Sequence, residues 1–504
     1  MSTILLTTLN ARYSHASLGL RYLLANMGGL RQRSQLLEFT IKQRAIDIVE
    51  ALLAHQPTIV GFGVYIWNSR ETAEVVALLK CIRPEVMIIL GGPEVSYETE
   101  QQVICEQADY TITGQADMAF AKLCQQLLDN HAPAQKIITA APLDLNLLIL
   151  PYAEYSDEDI AHRVVYVEAS RGCPFKCEFC LSALDKTATP FELDHFLAEM
   201  DALYQRGLRH FKFVDRTFNL KVDNSLRVLE FFLQRLDEDL FLHFELIPDH
   251  LPERLRETIQ RFPPGSLQFE IGVQSLNPEV QHLISRKQDN NKTAENLHWI
   301  RNQAHAHIHA DLIIGLPGED MASFAHGFDQ LSAMGSHEIQ LGILKRLRGS
   351  PIIRHTEAFD LRFSPLPPYN ILSTSCIDFA TMQRLTRFAR YWDLIANSGR
   401  FNKTLPLLLG TNPFNNFMAL SDWLYTETDL THRIQLQRLF KLVYQGATER
   451  LKLNIEEIND ALQLDFESSS LRGKPNFASP LSGATTEVGQ KSVASRQSRH
   501  LTDS

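Results

Sequence analysis

Arg171-Gly172-Cys173-Pro174-Phe175-Lys176-Cys177-Glu178-Phe179-Cys180 places three thiols within eight residues, directly after the apolar run Val164 to Val167. Three soft ligands on one short loop suit an iron–sulfur cluster. A cube of four irons gripped by three thiolates keeps one iron without a protein ligand, free to bind another molecule. A structural zinc is the competing reading, but zinc wants a fourth Cys or His with its own spacing. The other four cysteines, at positions 81, 105, 124 and 376, are scattered.

The Cys-x-x-x-Cys-x-x-Cys run, with an aromatic before its last Cys, resembles the signature of the radical S-adenosylmethionine (SAM) superfamily. The resemblance implies a [4Fe–4S] cluster on Cys173, Cys177 and Cys180, with the methionine amine and carboxylate of SAM on the open iron. It implies cleavage of SAM to a 5′-deoxyadenosyl radical, and an electron donor such as flavodoxin or ferredoxin.

Around this loop the chain is 504 residues long, enough for two or three domains. Its 44% hydrophobic and 21% charged fractions are those of an ordinary soluble protein. No apolar run reaches membrane-spanning length, and Met1 to Leu6 leads into a strand and not a targeting segment, so a cytoplasmic protein without a membrane partner is expected. Seven cysteines in so long a chain make no disulfide framework. A formal charge of −10 gives no general attraction to nucleic acid.

Before the loop, five short apolar runs (Ile4 to Thr8, Leu37 to Thr40, Thr58 to Val64, Val86 to Leu90, Asp109 to Thr113) alternate with amphipathic stretches of helical length. Such alternation predicts an α/β domain, a doubly wound parallel sheet of Rossmann-like form over residues 1–140, with ligands at the strand carboxyl ends. Three of those ends stand out: the loop holding His15, the run Tyr65-Ile66-Trp67-Asn68, and Gly91-Gly92-Pro93. A Gly-Gly pair lets backbone approach a flat or bulky ligand, because no Cβ intervenes; an ordinary turn is the alternative.

Together with the cysteine loop downstream, this segment resembles the cobalamin-binding domain found in front of many radical SAM enzymes. The resemblance implies cobalamin against Gly91 and Gly92, with Tyr65 and Trp67 packing on the corrin. The Asp-x-His-x-x-Gly pattern of domains with a lower axial His is missing, so His15 is either a cobalt ligand or a polar loop residue.

Residues from about Asp129 to Ile160 carry Pro133, Pro142, Pro151 and Asp157-Glu158-Asp159 without a sustained period and read as a linker, set at 141–160. From 161 to 350 six strand-like runs alternate with helices, predicting a partial (β/α)6 TIM-type barrel with its site at the strand carboxyl ends. There stand Asp215-Arg216, Glu245, Glu270, Gln274, Arg286 and Asp311. Their order resembles the barrel of oxygen-independent coproporphyrinogen oxidase and its relatives. That implies Arg286 on the SAM carboxylate, Glu245 and Gln274 on its amino-acid part, Asp311 on a ribose hydroxyl, and Asp215 or Arg216 near the methionine amine. A planar guanidinium does suit a carboxylate, and a carboxylate a vicinal diol. Pairing of Glu270 with Arg286 as structural glue is the alternative.

Lys345-Arg346-Leu347-Arg348-Gly349 is a basic cluster, read as a solvated loop or a phosphate contact. Pro365 to Pro368 mark a boundary. Residues 360–466 then turn helical, resembling a carboxyl-terminal helical domain of one subgroup of cobalamin-type radical SAM proteins, and 467–504 read as a disordered tail. The combined expectation is a cobalamin-dependent radical SAM enzyme that methylates an unactivated carbon of a small-molecule or peptide substrate. A radical rearrangement or cyclisation, and a non-catalytic iron–sulfur sensor, are the alternatives.

Overall fold

Strand β1, Ile4–Asn10, is buried along its whole length and lies inside a six-stranded parallel sheet. Its side chains alternate: Leu5 and Leu9 enter one core, Ile4 and Leu6 the other. The structure, a computed structural model, describes residues 4–469 together with Leu471 and Phe477. The sheet continues with β2 (Ser34–Thr40), β3 (Ile59–Gly63), β4 (Met87–Gly91), β5 (Tyr110–Thr113) and β6 (Ile137–Thr139), in the order β2-β1-β3-β4-β5-β6. Helices Ala45–Ala54 and Ser69–Ile82 cover one face, Leu18–Ala25 and Ala119–Leu128 the other. The sixth strand adds to the five expected; three residues are too few to register as a period.

The second sheet runs in sequence order: β7 (Val165–Val167), β8 (His210–Phe213), β9 (Phe241–Leu246), β10 (Leu267–Gln274), β11 (His307–Ile314) and β12 (Glu338–Ile343). All its pairings are parallel, and helices follow the strands as in a barrel left open between β7 and β12. Phe211, Phe213, Phe244 and Phe269 are buried beneath the helices. Their strand neighbours on the opposite face, Lys212, His243, Glu245 and Glu270, are left to the barrel interior.

The stretch 141–160, expected as a linker, is packed. Tyr152 and Tyr155 are buried, and Ser156 closes a capping box on helix Asp157–His162. Asp159 of that helix joins Arg21, Glu38 and Arg163 in a buried network of four ion pairs, 2.7 to 3.0 Å long. The basic run Lys345 to Gly349 is likewise not a solvated loop. Arg346 and Arg348 pair with Glu98 (2.7 and 2.9 Å), Arg348 also with Glu94 (3.0 Å), and the Tyr369 hydroxyl donates to Glu94 (2.7 Å). These arginines clamp the barrel to the loop after β4.

Helices Phe379–Ile395, Pro413–Thr428, Leu436–Gln445 and Ile455–Ser468 form the carboxyl-terminal region. Their core is continuous with the barrel's: Phe328 of helix Met321–Ala333 meets Phe388 and Trp392 edge-on at 5.3 and 4.8 Å. The expected tail, past the end of the last helix, lies almost wholly outside the described residues. Among the described residues no helix is long and apolar enough to cross a membrane.

Candidate functional site

The cysteine loop leaves β7 and is closed at its base by Ser170–Arg171 pairing antiparallel with Thr189–Pro190. Cys173 and Cys177 are buried, Cys180 is half-buried, and none is in a disulfide. Burial pushes the Cys173 and Cys177 thiols up, and at Cys177 the Arg286 guanidinium, whose Nη1 lies 3.5 Å from the sulfur, works against this.

The three cysteines open onto a cavity of about 210 Å³ that reaches the carboxyl ends of β9, β10 and β11. It gathers Arg216, Glu245, Glu270, Gln274, Arg286 and Asp311, the residues singled out in the sequence with one exception. Arg216 bonds both oxygens of Glu245 (2.9 and 3.1 Å). Glu270 is paired with His243 (3.0 Å), and the hydrogen bond from the imidazole holds its carboxyl below the usual range against the cost of burial. Arg286 does not pair with Glu270: it donates to the Gly272 carbonyl and to Gln288 (2.9 Å). The chain folds tightly here. Gln274 has φ +70°, and the β10–β11 register shifts between Gly272 and Gln274. A left-handed non-glycine residue costs about 1–3 kcal/mol and marks a place where geometry is imposed.

Asp311 is the uncompensated group. Its Oδ1 is buried without a hydrogen-bond partner among the described residues, and burial, with Glu270 and Glu245 nearby, drives its carboxyl well above the usual range. A polar ligand with a hydroxyl to donate would satisfy it.

Asp215 is the exception. It does not line the cavity but lies buried under the cysteine loop, accepting from the Ala169 N–H (3.0 Å) and the Ser170 hydroxyl (2.6 Å). Its neighbour Arg216, in the turn that follows β8, takes the cavity position.

A second cavity of about 350 Å³ opens at the carboxyl edge of the first sheet, floored by Gly63, Gly91, Gly92 and Gly114 and walled by Tyr65 and helix Leu18–Ala25. A Cβ on Gly63 or Gly91 would meet nothing nearer than 3.4 Å, so packing does not demand these glycines and their effect is to keep the cavity open, whereas Gly114 has space around it but a φ of +82°. Gly92 differs: its φ is +110° and a Cβ would strike the Val64 carbonyl at 2.5 Å, so the turn itself requires it.

Two of the expected corrin contacts are not in this wall. Trp67 stacks on the outer face of Tyr65 (ring centroids 4.4 Å apart, 7° between planes) and is exposed. His15 accepts or donates through Nδ1 with the Tyr166 hydroxyl at 2.6 Å, in a loop that bridges to Val164. Among the described residues no histidine lines the cavity.

The two cavities share one stretch of chain. Glu168 and Arg171 wall the first, and Cys173 opens the second. Arg171 pairs with Glu168 (2.7 Å) and reaches across to Asp117 of the first domain (3.2 Å). Sequence reasoning missed Asp117 and Arg171, and missed Glu178 as well. Inside the cysteine loop, Glu178 is buried, pairs with His355 (2.8 Å) and Arg354, and accepts from the Ser285 hydroxyl (2.6 Å). A charged residue between two cysteines that fold inward needs such partners, and that was the available signal.

A glycine-floored Rossmann-like domain set against a partial barrel that carries an inward-facing three-cysteine loop is the architecture of a B12-binding radical SAM protein. The comparisons divide the chain in the same way: residues 4–124 match the B12 binding domain, 167–331 the Radical SAM superfamily, and 357–500 a family described as a protein of unknown function (DUF4080). An uncharacterized methyltransferase of Pyrococcus horikoshii is 23% identical over 48% of this chain and 56% of its own length. The cobalamin-dependent radical SAM methyltransferase TokK of Streptomyces tokunonensis is 23% identical over 60% of this chain and 49% of its own. The chain thus spans about half the length of the curated relatives it matches. In fold it is similar to the radical S-adenosylmethionine methyltransferase TsrM of Kitasatospora setae, with a TM-score of 0.59 over 93% of this chain and 100% of that one, at 13% identity.

Proposed function

We propose that this chain is a cobalamin-dependent radical SAM enzyme that transfers a methyl group to an unactivated carbon. When bound, the [4Fe–4S] cluster would supply the electron that cleaves SAM to a 5′-deoxyadenosyl radical, and cobalamin would carry the methyl group. Cys173, Cys177 and Cys180 would hold the cluster, leaving one iron open. Arg286, beside Cys177, would orient the SAM carboxylate, and Asp311 would accept from a ribose hydroxyl, ending the isolation of Oδ1. Arg216 is neutralised by Glu245, which keeps a second free cation from competing for that carboxylate. Gly63, Gly91 and Gly114 would admit the corrin, with Tyr65 beside it. No cobalt ligand comes from His15 in this reading, because its ring is engaged by Tyr166 outside the cavity. The reduced partner that feeds the cluster would be a small electron carrier such as flavodoxin or ferredoxin.

The observation that carries the proposal is the shared wall: the stretch Glu168 to Cys173 borders both cavities, so the two cofactors would meet across a single loop. Anaerobic reconstitution with iron, sulfide and hydroxocobalamin tests it. The expected result is corrinoid absorbance in the purified chain and 5′-deoxyadenosine from SAM plus dithionite, with Cys177→Ala abolishing the nucleoside. Formation of the nucleoside by Cys177→Ala at the normal rate, or no nucleoside from wild-type protein with an intact cluster, would contradict it.

A further inference from the structure

A third cavity, of about 710 Å³, lies between the barrel's last strand and helix Phe379–Ile395 of the carboxyl-terminal region. No role assigned so far touches it. Its inner end belongs to the barrel: it is lined by His309, two residues before Asp311 on the same face of β11, and by Gln340, the register partner of Asp311 on β12. Two residues along a strand is about 7 Å. A molecule in this cavity would therefore reach the neighbourhood of Asp311.

The outer wall is cationic in a chain whose formal charge is −10. Arg390 is matched by Asp393 at 3.0 Å, but two other cations are not matched. Lys345 has no carboxylate partner among the described residues, and burial alone pulls its ammonium down. Arg387 leans over the Tyr425 ring (4.2 Å to the centroid), and its Nε is buried without an acceptor among the described residues. Asn370 Oδ1, also in the wall, is a buried acceptor without a donor. Two partly desolvated cations and an unmet acceptor around one cavity describe a place for an anion carried on a larger polar molecule.

We propose that this cavity receives the methyl acceptor, and that Lys345 and Arg387 bind an anionic end of it, carboxylate or phosphate. The inference rests on the reading of the chain as a SAM-cleaving methyl-transfer enzyme, and assigns the carboxyl-terminal helices the part of selecting the substrate. Cation pairs of this kind hold a carboxylate or phosphate by charge-assisted hydrogen bonds, so losing one weakens binding about tenfold or more.

Isothermal titration of the reconstituted full-length chain with inorganic phosphate and, separately, with acetate, at constant ionic strength, tests the proposal. One saturable site is expected, with phosphate preferred if the acceptor is a phosphate ester and acetate if it is a carboxylic acid. Lys345→Met and Arg387→Gln should each weaken that site about tenfold or more, while Arg254→Gln, on an exposed pair with Asp223, should not. The two variants lie on different elements, so a melting curve that disqualifies one leaves the other decisive. No saturable heat from wild-type protein with either anion, or equal binding by a folded variant, would overturn the proposal. In parallel, 5′-deoxyadenosine formation by the same wild-type sample tests the reading beneath it. A flat titration with the nucleoside formed removes the anion site alone, and a normal titration with no nucleoside removes the SAM-cleaving reading alone.

Discussion

Asp311 and Asp215 are both carboxylates under strain from burial, and they serve different ends. Asp311 leaves an oxygen without a partner among the described residues, which is a cost in stability that a bound hydroxyl would offset. Asp311→Asn is therefore expected to raise the melting temperature of the chain by a few degrees in alkaline buffer, where the wild-type carboxyl must carry a buried charge that the amide does not, and to leave it where it is at neutral pH, where burial keeps the carboxyl protonated. The same change should weaken SAM about tenfold or more, with iron content unchanged. Calorimetry and SAM titration on one preparation check both signs. Asp215, by contrast, is satisfied by two donors, yet burial still lifts its carboxyl to about 7, above the unfolded value of 3.8. The folded chain thus keeps a proton that the unfolded chain has released. The stability this group contributes is complete below about pH 4 and is lost as the pH rises through about 7. Asp215→Asn should flatten that fall: the difference in melting temperature between mutant and wild type should grow in the mutant's favour from about pH 5 to pH 8. Glu319, also lifted to about 7, stays in both proteins and cancels.

At the scale of elements, the strand ends divide into those that packing dictates and those that a ligand dictates. Gly92 is needed by its own backbone, and Gly61 by the Phe120 ring that a Cβ would strike. Gly63 and Gly91 are needed by neither, and Gly114 only by its backbone, at φ +82°. Gly91→Val should accordingly fold, keep its iron, and lose corrinoid at least tenfold in absorbance after anaerobic loading, because the added methyls fill the cavity floor. This division also explains what the sequence could disclose. Strand positions were legible from apolar runs, and β1, β3, β4 and β5 fall within two residues of the expected bounds at both ends. The cavity residues of β9 to β11 were legible because a polar side chain on an apolar strand has few reasons to be there. Three-residue β6 was too short to show. The packing of 141–160 was hidden because its support comes from Arg21 and Glu38, more than a hundred residues away. Asp215 was misplaced for the opposite reason: its type fitted the chemistry, and only its engagement by Ala169 and Ser170 beneath the cysteine loop excludes it.

For the molecule as a whole, the decisive arrangement is the fixed seat of the first domain against the barrel, since two cavities that share a wall are useful only if that wall does not gape. The seat is held at two sides by charge. On one side stands the network of Arg21, Glu38, Asp159 and Arg163, and on the other the clamp of Arg346 and Arg348 on Glu94 and Glu98. The side chain of Glu94 is only 3% exposed, so its charge has no recourse to water when Arg348 is gone. Removing one partner of a buried pair is far more damaging than the pair is stabilising, because the remaining charge stays desolvated. Arg348→Met should thus lower unfolding free energy by about 2–4 kcal/mol in urea, the Tyr369 hydroxyl sparing part of the loss. Arg44→Met, which breaks a shorter but exposed pair with Asp47 (2.5 Å), should leave the transition where it is. Hydrogen exchange locates the effect: faster exchange in Arg348→Met is expected in residues 92–98 and 345–351, with the cysteine loop base at Ser170 and Arg171 unchanged because it is held from the other side. Uniform acceleration across both sheets would mean that the clamp is part of one undivided core and does not hold a seat between two.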